Sequence, residues 1–302
     1  MAFRDWILVG VDGSAGSTAA VRYAAQEASR RDLGLRLVHV TPMFVPLAPR
    51  FPRFYELTTT QLENTGRKIL EDAAAQARSL VAASRITTAL LDGDRVTTLV
   101  AESARALMVV MGDAKLPFLE RLVTGSTADG VAARALSLVT LVGADWKGRG
   151  GGPVVAGIRS ARHSEILVQV ALEEARSRKA PLLLVHAWDV PGLAEEELGE
   201  AHEREAWITE EHRTMEEALG PVLESYPDVD VGIQVIHGNA GAVLRAASRE
   251  ADLLVLARRE HPLPEGYLGA TGRTLLHAST CPVQVVPPVP PPGQSLDSII
   301  AT

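Results

Sequence analysis

The 302-residue sequence contains a single cysteine, few aromatic residues and no long apolar run. Because a disulfide needs two thiols, Cys281 alone excludes an intramolecular bridge and any metal site built from several cysteines. No apolar run approaches the roughly 18 residues that a membrane-spanning helix requires. The first residues lead directly into strand-like sequence, without the apolar segment of a secretory signal peptide. We therefore expect a cytoplasmic protein with no membrane partner.

The sequence also has fewer positively charged residues, 30, than negatively charged ones, 37. The formal net charge is -7 at pH 7, and the arginines occur in short clusters of mixed sign. A nucleic-acid-binding protein needs clustered lysine and arginine to displace counterions from phosphates. The sequence therefore argues against a nucleic-acid partner. Its length suits two domains, each large enough to bury a core.

The two halves of the chain are copies of one unit. The segment LGLRLVHVT at 33–41 recurs as APLLLVHAW at 180–188, and ALMVVMG at 106–112 recurs as ADLLVLA at 251–257. Matches at a nearly constant offset indicate a tandem duplication. We predict a first domain over 1–144, a second over 152–288, and a proline-rich tail over 289–302 that is extended or disordered.

Within each unit, short apolar runs alternate with longer amphipathic stretches. This alternation predicts an α/β fold with a parallel sheet and right-handed crossovers. In the first unit the predicted strands are Trp6–Val11, Leu35–Val40, Ile86–Leu91, Leu107–Met111 and Leu138–Val142. The predicted helices are Ser17–Arg31, 62–81, Thr97–Arg105 and Ser126–Leu136.

The fifth strand of each unit has no helix after it, so it is expected at a sheet edge. An exposed apolar edge tends to pair with another edge. The strands Leu138–Val142 and Pro282–Val286 could pair with each other as an intramolecular pseudo-dimer. Alternatively, each edge is short and covered by loops. Whether two chains assemble further into a homodimer stays open.

The loops after the first and fourth strands are the candidate ligand site, because open parallel sheets bind ligands at the carboxyl ends of their strands. Asp12-Gly13-Ser14 follows the first strand, and Gly112 to Lys115 follows the fourth. Small residues at a helix start can form an anion site. The same residues are also good helix caps. Spacing alone does not separate these two interpretations.

Several short motifs in the sequence together resemble those of a known family. They are VGVDGS at 9–14, the LVHV strand, DGD and its counterpart HGN, and ADLLVLA with the closing TCPVQVV. The sequence resembles a tandem universal stress protein over both units. The resemblance implies two flavodoxin-like, Rossmann-like units of the adenine nucleotide alpha hydrolase type. Each would have a five-stranded parallel sheet in the order 3-2-1-4-5 with helices on both faces, and the two would pair through strand five.

The resemblance also implies a nucleotide site in the first unit. ATP-binding members carry G-x2-G-x9-G-[ST], which matches Gly112, Lys115 and the pair Gly125-Ser126 here. The family's aspartate after strand one matches Asp12, which follows Val11. The valine whose backbone meets adenine matches Val40, and Thr127 offers a further backbone N–H.

Lys115 departs from the motif, since a glycine is expected there. A lysine could pair with phosphates, but it loses the conformational freedom of glycine. The second unit departs further, with Arg159, Ala257 and Glu260 at the positions of Asp12, Gly112 and Lys115. We therefore expect one candidate ATP site, with or without Mg²⁺, and one degenerate copy.

The sequence shows no catalytic arrangement and no metal-ligand spacing. We expect a stress-response protein that binds ATP without turnover, with any hydrolysis slow and incidental. One alternative is a scaffold that engages a protein partner without a nucleotide. Another is an enzyme of the related nucleotide-handling folds, which would need acid–base or metal-binding groups that the sequence does not show.

Overall fold

The computed structural model describes residues 5–42, 52–113, 127–148, 150–160, 164–189, 201–258 and 268–288, with side chains omitted at 52–59 and 201–204. The described chain divides into two compact units, residues 5–148 and residues 150–258 with 268–288. Among these residues, no helix combines the length and apolar character needed to cross a membrane. The predicted tail, 289–302, lies outside the described residues.

The first unit is an α/β layer structure. Its elements in chain order are β1 (Trp6–Gly10), α1 (Ala15–Arg31), β2 (Gly34–Thr41), α2 (Pro52–Ala77), β3 (Ile86–Asp92), α3 (Arg95–Ser103), β4 (Met108–Asp113), α4 (Thr127–Arg134) and β5 (Leu138–Gly143). The strands are parallel and follow the order β3-β2-β1-β4-β5. Both the parallel sheet and its strand order agree with the sequence-based prediction.

The central strand explains why the sheet is covered on both faces. Ile7, Leu8 and Val9 of β1 are all fully buried. A strand that buries every residue must have protein on each side, which is the expected setting of a parallel strand between crossover helices. Helix α1 covers one side with a row of small buried residues, Ala20, Ala24 and Ala28 among them.

The start of α1 differs from the prediction. We predicted Ser17 as the first residue, whereas the helix begins at Ala15 because Ser14 is the N-cap, its Oγ accepting a hydrogen bond from the Ser17 N–H at 3.1 Å. A serine in this position satisfies one of the helix's unpaired amides. The helix stops at Asp32, a residue in the left-handed conformation with φ of 56°.

The second unit repeats this plan. Its elements are β6 (Val154–Ile158), α5 (Glu165–Arg178), β7 (Leu182–Trp188), α6 (Ala201–Leu223), β8 (Val231–His237), α7 (Ala240–Ala247), β9 (Leu253–Ala257), α8 (Ala270–Ala278) and β10 (Val283–Val286). Its parallel strands follow the order β8-β7-β6-β9-β10. That order is 3-2-1-4-5 within the unit, the same as in the first.

The duplication extends to individual hydrogen bonds. Nδ1 of His39 donates to the Val11 carbonyl at 2.7 Å, and Nδ1 of His186 donates to the Ile158 carbonyl at 3.0 Å. Each histidine therefore ties the second strand of its unit to the end of the first. The pairing of the two units through β5 and β10 stays a prediction.

Candidate functional site

In the first unit, the chain leaves β1 through a tightly bonded turn. The Val11 side chain is buried, and its N–H donates to the Val38 carbonyl at 2.9 Å. Oδ1 of Asp12 accepts a hydrogen bond from the Ser14 N–H at 2.9 Å. Gly13 between them has a φ of 79°, in the region that favours glycine. The turn thus fixes the Asp12 carboxylate at the carboxyl end of β1, beside the first turn of α1.

The electrostatic setting keeps Asp12 ionised. Partial desolvation acts to raise its pKa, but hydrogen bonds with Ser14 and Ser17 and the positive charge of Arg95 outweigh it. The net effect is a pKa below the ordinary value for aspartate. Ser14 is therefore the helix cap, while Asp12 carries a negative charge at the carboxyl end of β1.

The end of β4 lies against the same helix start. A Cβ added to Gly112 would lie 2.1 Å from the carbonyl carbon of Gly16 and 2.5 Å from the Ser17 nitrogen. Only glycine fits this approach of strand to helix backbone. The first motif glycine is thus accounted for by the packing of α1 against β4.

The carboxyl ends of β2 and β3 lie at the same end of the sheet. Val40 is buried near the end of β2, and the Thr41 hydroxyl bonds the Asp92 carboxylate at the end of β3. Gly93 follows with a φ of 139°. Asp94 then caps α3, accepting from the Thr97 N–H at 2.8 Å and from the Thr97 hydroxyl at 2.7 Å. These bonds hold the pKa of Asp94 below its ordinary value.

Four aspartates therefore lie at one end of the first unit's sheet. We call Asp12, Asp92, Asp94 and Asp113 the acidic edge. Val9 is in register with Val110 on the neighbouring strand, so Asp12 and Asp113 follow at the same level. Among the described residues, no three histidine, cysteine, aspartate or glutamate side chains are grouped so as to hold a metal ion.

The predicted site residues divide into two groups. Val11, Asp12, Val40 and Gly112 all lie at the carboxyl ends of β1, β2 and β4, and Thr127 is the first residue of α4. Lys115, Gly125 and Ser126 lie outside the described residues, as does Glu260 of the second unit. Sequence reasoning did not single out Asp92 and Asp113, although each follows a predicted strand within two residues and could have been found by its position.

Comparison with known proteins assigns the family. A model described as the universal stress protein family matches residues 4–143 and again 152–287. This chain belongs to the universal stress protein family. A universal stress protein of Mycobacterium tuberculosis is 31% identical over 292 residues, covering 92% of this chain and 96% of that protein.

One solved structure that aligns over most of the chain supports the same fold. A universal stress protein from Archaeoglobus fulgidus aligns with a TM-score of 0.68 at 15% identity, covering 94% of this chain and 97% of that one. A universal stress protein crystallised in complex with cAMP covers 47% of this chain and 98% of its own, at 25% identity and a TM-score of 0.35.

The second unit has the opposite charge at the equivalent edge. The positions of Asp12, Asp92, Asp94 and Asp113 are occupied by Arg159, His237, Asn239 and Arg258. Asn239 retains the capping role, accepting from the Ala242 N–H at 3.2 Å. The remaining three replacements exchange carboxylates for two guanidinium groups and an imidazole. The two edges of this universal stress protein are therefore suited to ligands of different charge.

Proposed function

We propose that the first unit of this universal stress protein binds ATP and that the protein acts in the stress response by binding rather than by turnover. One observation carries the proposal. Strand order reverses between β1 and β4, and Asp12 and Gly112 lie at the carboxyl ends of these two strands. In open parallel sheets, ligands bind in the crevice at this point.

The family motif supports the same site. Val40 would present its backbone to adenine, Asp12 would face the ribose and phosphates, and Gly112 would open the phosphate loop. Lys115, Gly125 and Ser126, with the Thr127 N–H, would hold the phosphates. These roles come from the resemblance to ATP-binding relatives. Any hydrolysis would be slow and incidental.

The acidic edge adds a requirement for Mg²⁺. Unit charges of like sign about 4 Å apart repel by about 4 kcal/mol at an effective dielectric constant near 20, so free ATP would bind poorly beside Asp12. In nucleotide sites, Mg²⁺ is usually bound through one or two carboxylates together with the phosphates. Asp12, which is exposed at the end of β1, is the residue that would take this part.

A second candidate function is a scaffold that engages a protein partner without a nucleotide. The acidic edge favours this alternative, since the exposed carboxylates of Asp12, Asp92 and Asp94 repel a phosphate chain and would attract a basic surface of a partner. The two candidates make opposite predictions about ATP.

A thermal-shift titration separates them. A ligand that binds only the folded state adds about 2.7 kcal/mol of stability at one hundred times its Kd. We expect Mg-ATP to raise the unfolding temperature and ATP with chelator to raise it much less. Asp12→Asn keeps an acceptor for the Ser14 N–H but removes the charge, and it should reduce the shift. Arg159→Gln, at the same position of the second unit, is the matched control and should not.

A nucleotide retained by the purified protein and identified by mass after denaturation would add direct support. No shift at millimolar Mg-ATP, with no retained nucleotide, would refute the ATP proposal and leave the scaffold. The cytoplasmic location stays a prediction from the sequence.

A further inference from the structure

The second unit contains a cavity at the position that corresponds to the proposed nucleotide site of the first unit, and its lining departs from the family motif. Its volume is about 620 Å³, within the roughly 300–1,000 Å³ usual for small-molecule sites. It lies at the carboxyl ends of β6, β7, β9 and β10 and reaches the first turns of α5 and α8. Much of its wall is apolar, and this part includes Ile158, Val185, Leu244, Leu256, Leu268 and Val285.

Two arginines line this cavity. Gly157 is in register with Leu256 on the adjacent strand, so Arg159 and Arg258 follow two residues later at the same level. Burial lowers the pKa of Arg258, but a guanidinium stays charged at neutral pH.

Two helix starts add to the positive potential. Ser164 is the N-cap of α5, but its hydroxyl donates to the Ser160 carbonyl at 2.6 Å and makes no capping bond. Gly269, the N-cap of α8, has no side chain to make one. Residues of both first turns line the cavity. The uncapped amides at a helix start attract anions.

The later start of α5 explains why there is room for a ligand. By sequence alignment of the two units, Glu165 matches Thr18, so α5 begins one turn later than α1. In the first unit that extra turn brings Gly16 against Gly112. In the second unit, Ala257 occupies the position equivalent to Gly112, and it lines the cavity.

We propose that the second unit binds a small organic anion, an apolar body bearing one phosphate or carboxylate group, with the charged group held by Arg159 and Arg258. The apolar body lies against Val185, Leu244 and Val285. Paired guanidinium groups bind planar or tetrahedral anions in preference to any neutral group. This site is separate from the ATP site proposed in the first unit and does not depend on it.

Two fluorescent probes with related aromatic skeletons test the proposal on the full chain. One is 8-anilinonaphthalene-1-sulfonate, an apolar body with an anionic group, and the other is neutral N-phenyl-1-naphthylamine. We expect saturable binding of the sulfonate at one site. Arg159→Gln should weaken binding of the sulfonate probe about tenfold or more, because a hydrogen bond to a charged group contributes enough free energy for a change of that size. The neutral probe should change less than twofold.

Matched variants distinguish a loss of probe binding from a loss of folding. Arg159 is exposed, so R159Q should retain the wild-type near-ultraviolet circular dichroism. Asp12→Asn alters the equivalent position of the first unit and should leave sulfonate binding unchanged. Because this probe also binds loosened apolar surface, hydrogen exchange provides a second readout. Bound probe should slow exchange in the first turns of α5 and α8.

Competition defines the charged group. Octyl phosphate and octanoate should displace the sulfonate probe, the stronger competitor identifying the preferred group, whereas octanol should not. Displacement by octanol as strong as by either anion would overturn the proposal. So would equal binding by wild type, R159Q and R258Q. Tighter competition by ATP or inorganic phosphate than by both octyl anions would overturn the requirement for an apolar body.

Discussion

Replacing Gly112 with alanine tests the closest backbone approach at the candidate site. The added Cβ would lie 2.1 Å from the Gly16 carbonyl carbon and 2.4 Å from its oxygen, whereas ordinary contact begins at 3.4 Å. All three nearest atoms belong to backbone, so no side-chain rotation relieves the overlap. The first turn of α1 or the end of β4 must therefore move by more than an ångström.

The expected cost is large for a single methyl group. Overpacking in well-packed regions costs about 1–3 kcal/mol, and occasionally more. Because the obstruction is rigid backbone on a buried helix, we expect the loss of stability to be about 3 kcal/mol or more. A loss of that size is a large fraction of the roughly 5–15 kcal/mol typical of a folded domain.

Hydrogen exchange in urea, resolved by peptide, is the appropriate assay because it reports on each unit separately. Peptides from β1 and β4 should exchange faster in G112A, and those from β6 and β9 should be unchanged. Gly272→Ala is the control for alanine itself. A Cβ at Gly272, inside α8, meets nothing within 4 Å, so this change should stabilise by about 0.5–1 kcal/mol. If G112A retained wild-type protection in β1 and β4, the close approach of α1 to β4 would be wrong.

Two further predictions concern single side chains. Ser14→Ala removes the cap bond to the Ser17 N–H and should cost about 1 kcal/mol in urea unfolding, whereas Ser14→Asn keeps an acceptor for that N–H and should cost less. Equal losses would contradict this. Burial and a bond to Glu173 raise the pKa of Tyr226 to about 12, so its contribution to stability should be complete below pH 10.0 and disappear as the pH rises towards 12. Phenolate absorbance should show that Tyr226 titrates at this raised pKa in the wild type and at a lower pKa in Glu173→Gln. Titration of Tyr226 near 10.0 in the wild type would refute the prediction.

The sequence predicted the architecture because its signals are local. Apolar runs such as Trp6–Val11 and the row of alanines in α1 have the periodicity of buried strands and helices, whatever surrounds them. Repetition then identified the two units without further information. Errors were confined to ends of elements, as at α1, where the bond between Ser14 and the Ser17 N–H decides the first residue.

The candidate site was less predictable. Asp12 and Val40 could be named from motifs, and the loops that contain Asp12 and Asp113 could be grouped as one site, but the sequence does not give the register of their strands. Their proximity depends on the pairing of β1 with β4, which are separated along the chain by the crossover through β2 and β3. The same applies to Arg159 and Arg258. The comparison of motifs describes the second unit only as a degenerate copy, because it considers each position separately.

The sequence by itself therefore determined the duplication, the parallel α/β units and the residues at each strand end, because these depend on short-range pattern. Only the tertiary structure decided what those residues form together. Strand register places carboxylates at one level in one unit and guanidinium groups at one level in the other, and the starting point of α5 leaves a cavity beside the guanidinium groups. Such consequences depend on long-range packing, which no local pattern encodes.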